Sequence, residues 1–186
     1  MGELRVSPGP FDGLWLIDLD VIDDPVRPKA SFREVFHAEK MTALGLPPFE
    51  PVQWSVSESR EGTLRAFHAE PWDKLVHVAY GEAFAAIADL RHDAPTAGRV
   101  WTGRLSRGHA LFVSRGLGNG FQVTSEIGVY AYLVNAHWQP DVAYPAVRWD
   151  DPDLGVDWPI TDARLAMSDR DRQNPSLRDF WAAADA

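Results

Sequence analysis

The chain has 186 residues and no cysteine; 45% of its residues are hydrophobic and 24% are charged, and its formal net charge is −9. This length fits a single domain, and the composition excludes a disordered chain, a coiled coil and a disulfide-stapled fold. The negative charge argues against nucleic acid or an anionic membrane surface as a partner, and no stretch approaches the roughly 18 apolar residues of a membrane span, so we expect a cytoplasmic protein.

Short strands separated by turns are predicted along most of the chain. Residues 1–50 are broken by prolines and predict irregular strands, including 14–17 and 31–36, with one helical turn over 39–44. Residues 51–147 form the predicted barrel core. Its strands are predicted at 53–57, 62–68, 75–80, 83–90, 100–105, 110–113, 120–124 and 129–134.

The C-terminal extension, residues 148–186, has a different character. It carries a charged stretch at 168–172 and then a short predicted helix, for which Ser176 is the expected N-cap and Asp179 completes a capping pattern. Strands at intervals of about 10–12 residues are typical of an all-β sandwich or barrel. No amphipathic helix between them is long enough for a parallel crossover, so we predict one all-β domain over 1–186 with short peripheral helices.

Polar groups within the apolar strands are the first candidates for chemistry. Lys74 is either a solvated strand end or a functional group. Strand alternation places Arg65 and His68 on opposite faces of the strand over 62–68. The glycine-rich run 116–120 opens no helix, so we interpret it as a tight connection between strands rather than a phosphate-binding loop.

His68 permits more than one interpretation from the residues alone. A histidine in a strand is most often a hydrogen-bonded structural group. His68 and Glu70 are also spaced to face the same side of a strand, where they could bind a divalent metal if a further histidine such as His109 joined them. Both interpretations remain open at this point.

Five motifs, in conserved order over about residues 32–177, resemble those of the dTDP-4-dehydrorhamnose 3,5-epimerases. The longest runs from Gln53 through Leu64-Arg65 to His68, and the others span 74–76, 89–98, 149–159 and 167–177. The resemblance implies a cupin-type jelly-roll barrel that forms a homodimer and needs no cofactor and no metal. It also implies a nucleotide-diphosphate sugar as substrate, whose C4 ketone makes the hydrogens at C3 and C5 acidic.

The resemblance further assigns roles to individual residues. His68 matches the base, Asp171 the carboxylate paired with it, Tyr132 the acid on the opposite face, and Lys74 the group near the enolate oxygen. Histidine suits a base because imidazole titrates near neutral pH. Arg65 matches a diphosphate contact and Trp138 the aromatic ring near the nucleotide base. The other substrate-binding residues implied are Lys29, Phe32, Glu34, Gln53, Ser55 and Asn119.

Several positions depart from the family pattern. Asn119 stands where the family has a second histidine, Ala85 replaces an aspartate, Ser55 an asparagine, and Glu70 a glutamine. Since the base, its aspartate and the tyrosine are retained, we favour an active epimerase. A related cupin ketoisomerase, a metal-dependent cupin enzyme and a non-catalytic sugar-nucleotide binding protein are the alternatives.

Overall fold

The computed structural model of the protein describes residues 3–26 and 30–184, and strands dominate it. The helices are short: α1 (Ala38–Ala43), α2 (Asp169–Arg172) and α3 (Leu177–Ala184). The strands are β1 (Arg5–Pro8), β2 (Leu14–Asp18), β3 (Ile22–Asp23), β4 (Ser31–Phe32), β5 (Gln53–Arg60), β6 (Leu64–His68), β7 (Lys74–Tyr80), β8 (Ala83–Asp89), β9 (Val100–Leu105), β10 (His109–Val113), β11 (Leu117–Val123) and β12 (Ile127–Val134).

Two antiparallel sheets make up the body of the fold. The larger sheet has the order β1-β2-β10-β7-β12-β5, the smaller one has the order β6-β11-β8-β9, and β3 and β4 form a separate two-stranded sheet. The main core lies between the two sheets and includes Leu14, Val76, Ile87 and Leu111. This arrangement confirms the predicted all-β jelly roll with short peripheral helices. None of the helices in the described ranges is long and apolar enough to cross a membrane, and the cytoplasmic location stays a prediction.

The outer faces of both sheets are covered by the chain's two ends. Met41 and Phe49 of the N-terminal segment pack against the larger sheet. Trp158 and Leu177 of the C-terminal extension pack against the smaller sheet. Strand β8 lies between β11 and β9, and nearly all of its residues are buried. Burial on both faces explains why this strand is continuously apolar rather than alternating.

The structure corrects four details of the predicted elements. Only Ser31–Phe32 of the segment 31–36 is a strand, and β1 and β2 join the larger sheet, so the barrel begins before residue 51. The glycine-rich run is mostly strand, because β11 begins at Leu117 and only Gly116 lies in the turn before it. The charged stretch 168–172 contains a helix that was not predicted.

The predicted N-cap of the last helix is confirmed. The backbone amide of Asp179 donates to Ser176 Oγ at 3.2 Å, and that hydroxyl donates to the Asp179 carboxylate at 2.6 Å. The cap starts α3, whose Leu177 is buried against the smaller sheet. This anchors the extension that carries Asp171 toward the barrel.

Candidate active site

A cavity of about 270 Å³ lies between the two sheets. This volume is close to the lower end of the range typical of small-molecule sites, about 300–1,000 Å³. Five predicted site residues, Arg65, His68, Lys74, Asn119 and Tyr132, line it. The lining is completed by Ser57, Glu70, Phe121 and Tyr130.

His68 and Asp171 form a hydrogen-bonded pair although 103 residues separate them in sequence. His68 Nε2 lies 2.6 Å from Asp171 Oδ1. Strand β6 ends at His68, and Asp171 lies in α2, whose N-cap Ser168 accepts a hydrogen bond from the Asp171 amide. The predicted contact between His68 and Asp171 is therefore present, and their roles as base and paired carboxylate stay predictions.

Asp171 is fully buried, and the groups around it hold it in the charged form. Burial alone would raise the pKa of this carboxyl, but hydrogen bonds from His68, Ser168 and Arg65 outweigh it and lower the pKa well below its usual value. A carboxylate can only accept hydrogen bonds, so the proton in this contact belongs to His68 Nε2. The lone pair of the neutral ring is then on Nδ1, which is the nitrogen available as a base.

The predicted placement of Arg65 and His68 on opposite faces of β6 is wrong. Both side chains contact Asp171, since Arg65 Nη1 donates to Asp171 Oδ2 at 2.8 Å. The cause is an irregular register with β11, in which Asn119 pairs with His68 but Phe121 pairs with Arg65. The three residue steps from Arg65 to His68 on β6 therefore span the same length as the two steps from Phe121 to Asn119 on β11. Such a bulge shifts the in-and-out alternation of the side chains by one residue, so that Arg65 and His68 face the same side.

Lys74 is buried in the cavity rather than solvated at a strand end. Its side chain is only 6% exposed, and its ammonium group is paired with the Glu70 carboxylate. Burial would raise the pKa of Glu70, but the charge and hydrogen bond of Lys74, together with smaller contributions from His68 and a backbone hydrogen bond, lower it below its ordinary value. Glu70 Oε1 also lies 4.0 Å from His68 Nδ1. Glu70 thus lies between Lys74 and His68.

Tyr132 is partly buried on β12 and lines the cavity from the larger sheet, whereas His68 belongs to the smaller sheet. Burial raises the pKa of Tyr132, a hydrogen bond with Ser55 opposes the rise, and the charge of Glu70 adds to it. The phenol therefore carries its proton at neutral pH and is available as an acid. Gln53 Nε2 in turn donates to Ser55 Oγ at 3.0 Å.

Gln53 and Ser55 do not line the cavity, but they contact Tyr132 through hydrogen bonds, Ser55 directly and Gln53 through Ser55. Besides its contact with Ser55, Gln53 accepts a hydrogen bond from the backbone amide of Trp138 at 3.0 Å. The Trp138 ring is about half exposed and does not line the cavity. A network of side chains therefore runs from the segment after β12 to the Tyr132 phenol.

Phe32 and Glu34, two of the remaining predicted substrate contacts, do not line the cavity of the described chain. Phe32 is 62% exposed and Glu34 is paired with Lys40, and both residues border a separate depression. Lys29 lies outside the described residues. Their predicted roles in substrate binding stay predictions.

Tyr130 and Ser168 are parts of the site that the sequence interpretation missed. Tyr130 stands two residues before Tyr132 on the same strand, so strand alternation already places the two side chains on one face. Ser168 stands three residues before Asp171, which is the spacing of an N-cap interaction. Within residues 3–26 and 30–184, no group of three or more histidine, aspartate or glutamate side chains is arranged to hold a metal ion.

The comparisons with known proteins agree with this geometry. A family model described as dTDP-4-dehydrorhamnose 3,5-epimerase matches residues 9–179. A Streptococcus pyogenes protein named "Protein RmlC homolog" is 39% identical over 95% of this chain and 89% of its own length. The dTDP-4-dehydrorhamnose 3,5-epimerase of Methanothermobacter thermautotrophicus is 33% identical over 96% of this chain and 97% of its own.

A solved structure gives the same result for the fold. RmlC from Streptococcus suis, determined in complex with dTDP-D-xylose, superimposes with a TM-score of 0.88 at 34% sequence identity. The match covers 96% of this chain and 94% of the Streptococcus suis chain. The chain therefore belongs to the dTDP-4-dehydrorhamnose 3,5-epimerase family.

Proposed function

We propose that this protein epimerises a dTDP-4-keto-6-deoxyhexose at C3, C5 or both, by removing a proton from carbon next to the C4 ketone. The observation that carries the proposal is the arrangement of the cavity. His68, hydrogen-bonded to the buried Asp171, lines it from the smaller sheet, and Tyr132 lines it from the larger one. An epimerase needs a base on one face of the reacting carbon and an acid on the other.

The reaction needs two proton transfers. His68 Nδ1 takes the proton from C3 or C5, and the electron pair of the broken C–H bond moves into the enolate, whose negative charge rests on the C4 oxygen. The resulting imidazolium is stabilised by Asp171, which accepts from Nε2. Tyr132 then gives its phenolic proton to the opposite face of the carbon, and exchange with water restores both groups. The ketone itself accommodates the charge, so no cofactor is invoked.

Two cationic side chains complement the anionic substrate. Lys74 is buried in the cavity, where an ammonium group stabilises a developing enolate more strongly than it would in water. Arg65 has a side chain that is 44% exposed at the cavity, so part of its guanidinium is free for a diphosphate oxygen while Nη1 holds Asp171. Trp138 lies outside the cavity and is assigned to the nucleotide base.

Homodimerisation is part of the same proposal. Strand β5 is an edge strand of the larger sheet, and its outward-facing Trp54 and Val56 are 68% and 56% exposed. Large apolar side chains on an open sheet edge are typical of an interface. Phe32 and Glu34 lie on the early segment that we assign to this contact, where they would meet substrate bound to a second copy. Light scattering that gives a monomer at micromolar concentration contradicts this assignment.

Solvent deuterium exchange tests the function directly. The protein is incubated in D2O with a dTDP-4-keto-6-deoxyhexose, and the sugar protons are followed by NMR. We expect the signals of C3–H, C5–H or both to disappear only when the protein is present, because each turnover takes a proton from solvent. Absence of exchange with every such sugar, in a preparation that binds dTDP, contradicts the proposed activity.

A further inference from the structure

A hydrogen bond between two buried polar side chains crosses the interior of the fold beside the base. The hydroxyl of Tyr130 on β12 donates to Asn119 Oδ1 on β11 at 3.1 Å. The two strands belong to different sheets, so this contact joins the walls of the cavity. The Tyr130 ring is held in place by a parallel stack on Phe121, with ring centroids 3.8 Å apart.

This hydrogen bond fixes the orientation of the Asn119 amide. Tyr130 is 2% exposed, and burial raises the pKa of its phenol far above the usual value, so its proton is always present and needs an acceptor. Asn119 Oδ1 is the acceptor that the described residues supply. If the amide were reversed, the buried phenolic proton would have none, which costs about 1–3 kcal/mol. The Asn119 oxygen therefore faces Tyr130 and its Nδ2 group faces away.

The Nδ2 group is an unused donor at the cavity. It makes no hydrogen bond within the described ranges, yet it is not among their buried unpartnered atoms, and Asn119 lines the cavity. Two other donors of the cavity already have carboxylate partners, since Lys74 is paired with Glu70 and Arg65 Nη1 with Asp171.

The position of this donor relative to the base indicates its target. Asn119 is the direct cross-strand partner of His68, and the side chains of such partners start about 4.5–5.5 Å apart. The carbon that loses its proton to His68 is bonded to the carbonyl carbon of the ketone, so the oxygen that gains negative charge lies two bonds from the reacting carbon. A donor adjacent to the base is therefore within reach of that oxygen.

Building on the proposed epimerase activity, we propose that Asn119 donates a hydrogen bond from Nδ2 to the developing enolate oxygen, and that Tyr130 is the positioning residue that keeps this donor aimed. Lys74 and Asn119 then both stabilise the negative charge of the enolate. Lys74 acts through its positive charge, which is partly neutralised by Glu70, and Asn119 acts through a neutral hydrogen-bond donor. Tyr130 contributes without being the acid, because its hydroxyl is committed to Asn119 and its ring is stacked on Phe121.

A double-mutant cycle tests the assignment in the full-length protein. Asn119→Ala removes the donor, and we expect kcat to fall about 10²-fold with KM little changed, as for loss of one donor to an oxyanion. Tyr130→Phe keeps the ring stack but frees the amide to rotate, and we expect kcat to fall about tenfold, a part of the loss that removing the donor causes. In the Asn119→Ala background, Tyr130→Phe should cause no further fall in kcat, because no donor is left to aim.

A second variant of Asn119 keeps the test valid if Asn119→Ala fails to fold. Asn119→Asp keeps an acceptor for Tyr130 while replacing the donor by a carboxylate oxygen, so it should lose at least as much kcat as Asn119→Ala. The inference is overturned if Tyr130→Phe leaves kcat unchanged, if it lowers kcat equally in both backgrounds, or if the Asn119 variants raise KM alone. A wild-type protein that binds dTDP but catalyses no exchange instead overturns the epimerase activity, and this inference with it.

Discussion

Replacing His68 by asparagine is expected to lower kcat for epimerisation by about 10³-fold or more, near the upper range for loss of a general base. The reason is geometric as well as chemical. His68 Nε2 donates to Asp171, so Nδ1 carries the lone pair of the neutral ring and is the basic atom. Asparagine cannot accept the carbon-bound proton and become a stable cation. NMR exchange in D2O and a kinetic assay of epimer formation measure this loss.

The matched control for this substitution is His92→Asn. His92 lies in the turn after β8, is exposed, and makes a tilted ring contact with Trp181 of the last helix. It does not line the cavity, so its replacement should leave kcat close to the wild-type value and change stability by no more than about 0.5 kcal/mol, as is usual for a surface substitution. A His68→Asn protein that still exchanges at a rate close to wild type would require another base. Circular dichroism at the assay temperature checks that both variants are folded.

Replacing Asp171 by asparagine is expected to lower kcat by about 10²- to 10⁴-fold while leaving the fold in place. The carboxylate accepts from His68, Arg65 and Ser168 together, and an amide offers one oxygen in place of two. His68 then loses both its orientation and the negative charge that stabilises the imidazolium. Asp169→Asn, an exposed change in the same helix, is the control with the same loss of charge.

The same substitution should also change how stability depends on pH. The pKa of Asp171 is held well below its ordinary value in the folded protein, so the unfolded chain binds the proton first as the pH falls. The stabilisation by Asp171 is therefore complete above about pH 5 and is lost as the pH falls through about 4 toward the folded-state pKa. Urea unfolding at several pH values should show that the difference in the free energy of unfolding between the wild type and Asp171→Asn decreases as the pH falls across this window. A difference between the two proteins that stays constant down to pH 3 would contradict this account.

The sequence was a good guide to the strands because their patterns have a local cause. Strand β5 alternates in burial residue by residue, as a half-buried strand requires. Strand β8 was ambiguous by periodicity because nearly all of its residues are buried, and only its length between two other strands favoured the correct assignment. The charged helix α2 was missed although the spacing of its N-cap, Ser168, to Asp171 is visible in the sequence. The contacts of Asp171 with His68 and Arg65 across the fold are not visible in any local pattern.

The site was harder to predict because it depends on register. The His68–Asp171 pair joins residues 103 apart, and only the family resemblance linked them in advance. Simple alternation failed for Arg65, since the bulge opposite Asn119 is invisible in the sequence of β6 alone. The predicted substrate contacts of Phe32 and Glu34 are not visible in a single chain, because we assign them to substrate that is bound to a second copy.

The central claim is that two groups act on opposite faces of one carbon, and Tyr132→Phe tests it most directly. The variant is incubated with a dTDP-4-keto-6-deoxyhexose in D2O, and both deuterium content and configuration of the recovered sugar are measured by NMR. With His68 intact and the opposite-face acid removed, we predict that deuterium enters C3 or C5 with the original configuration retained and that epimer formation falls about 10²-fold or more. Formation of the epimer at the wild-type rate would contradict the assignment of Tyr132 as the acid and, with it, the two-faced mechanism.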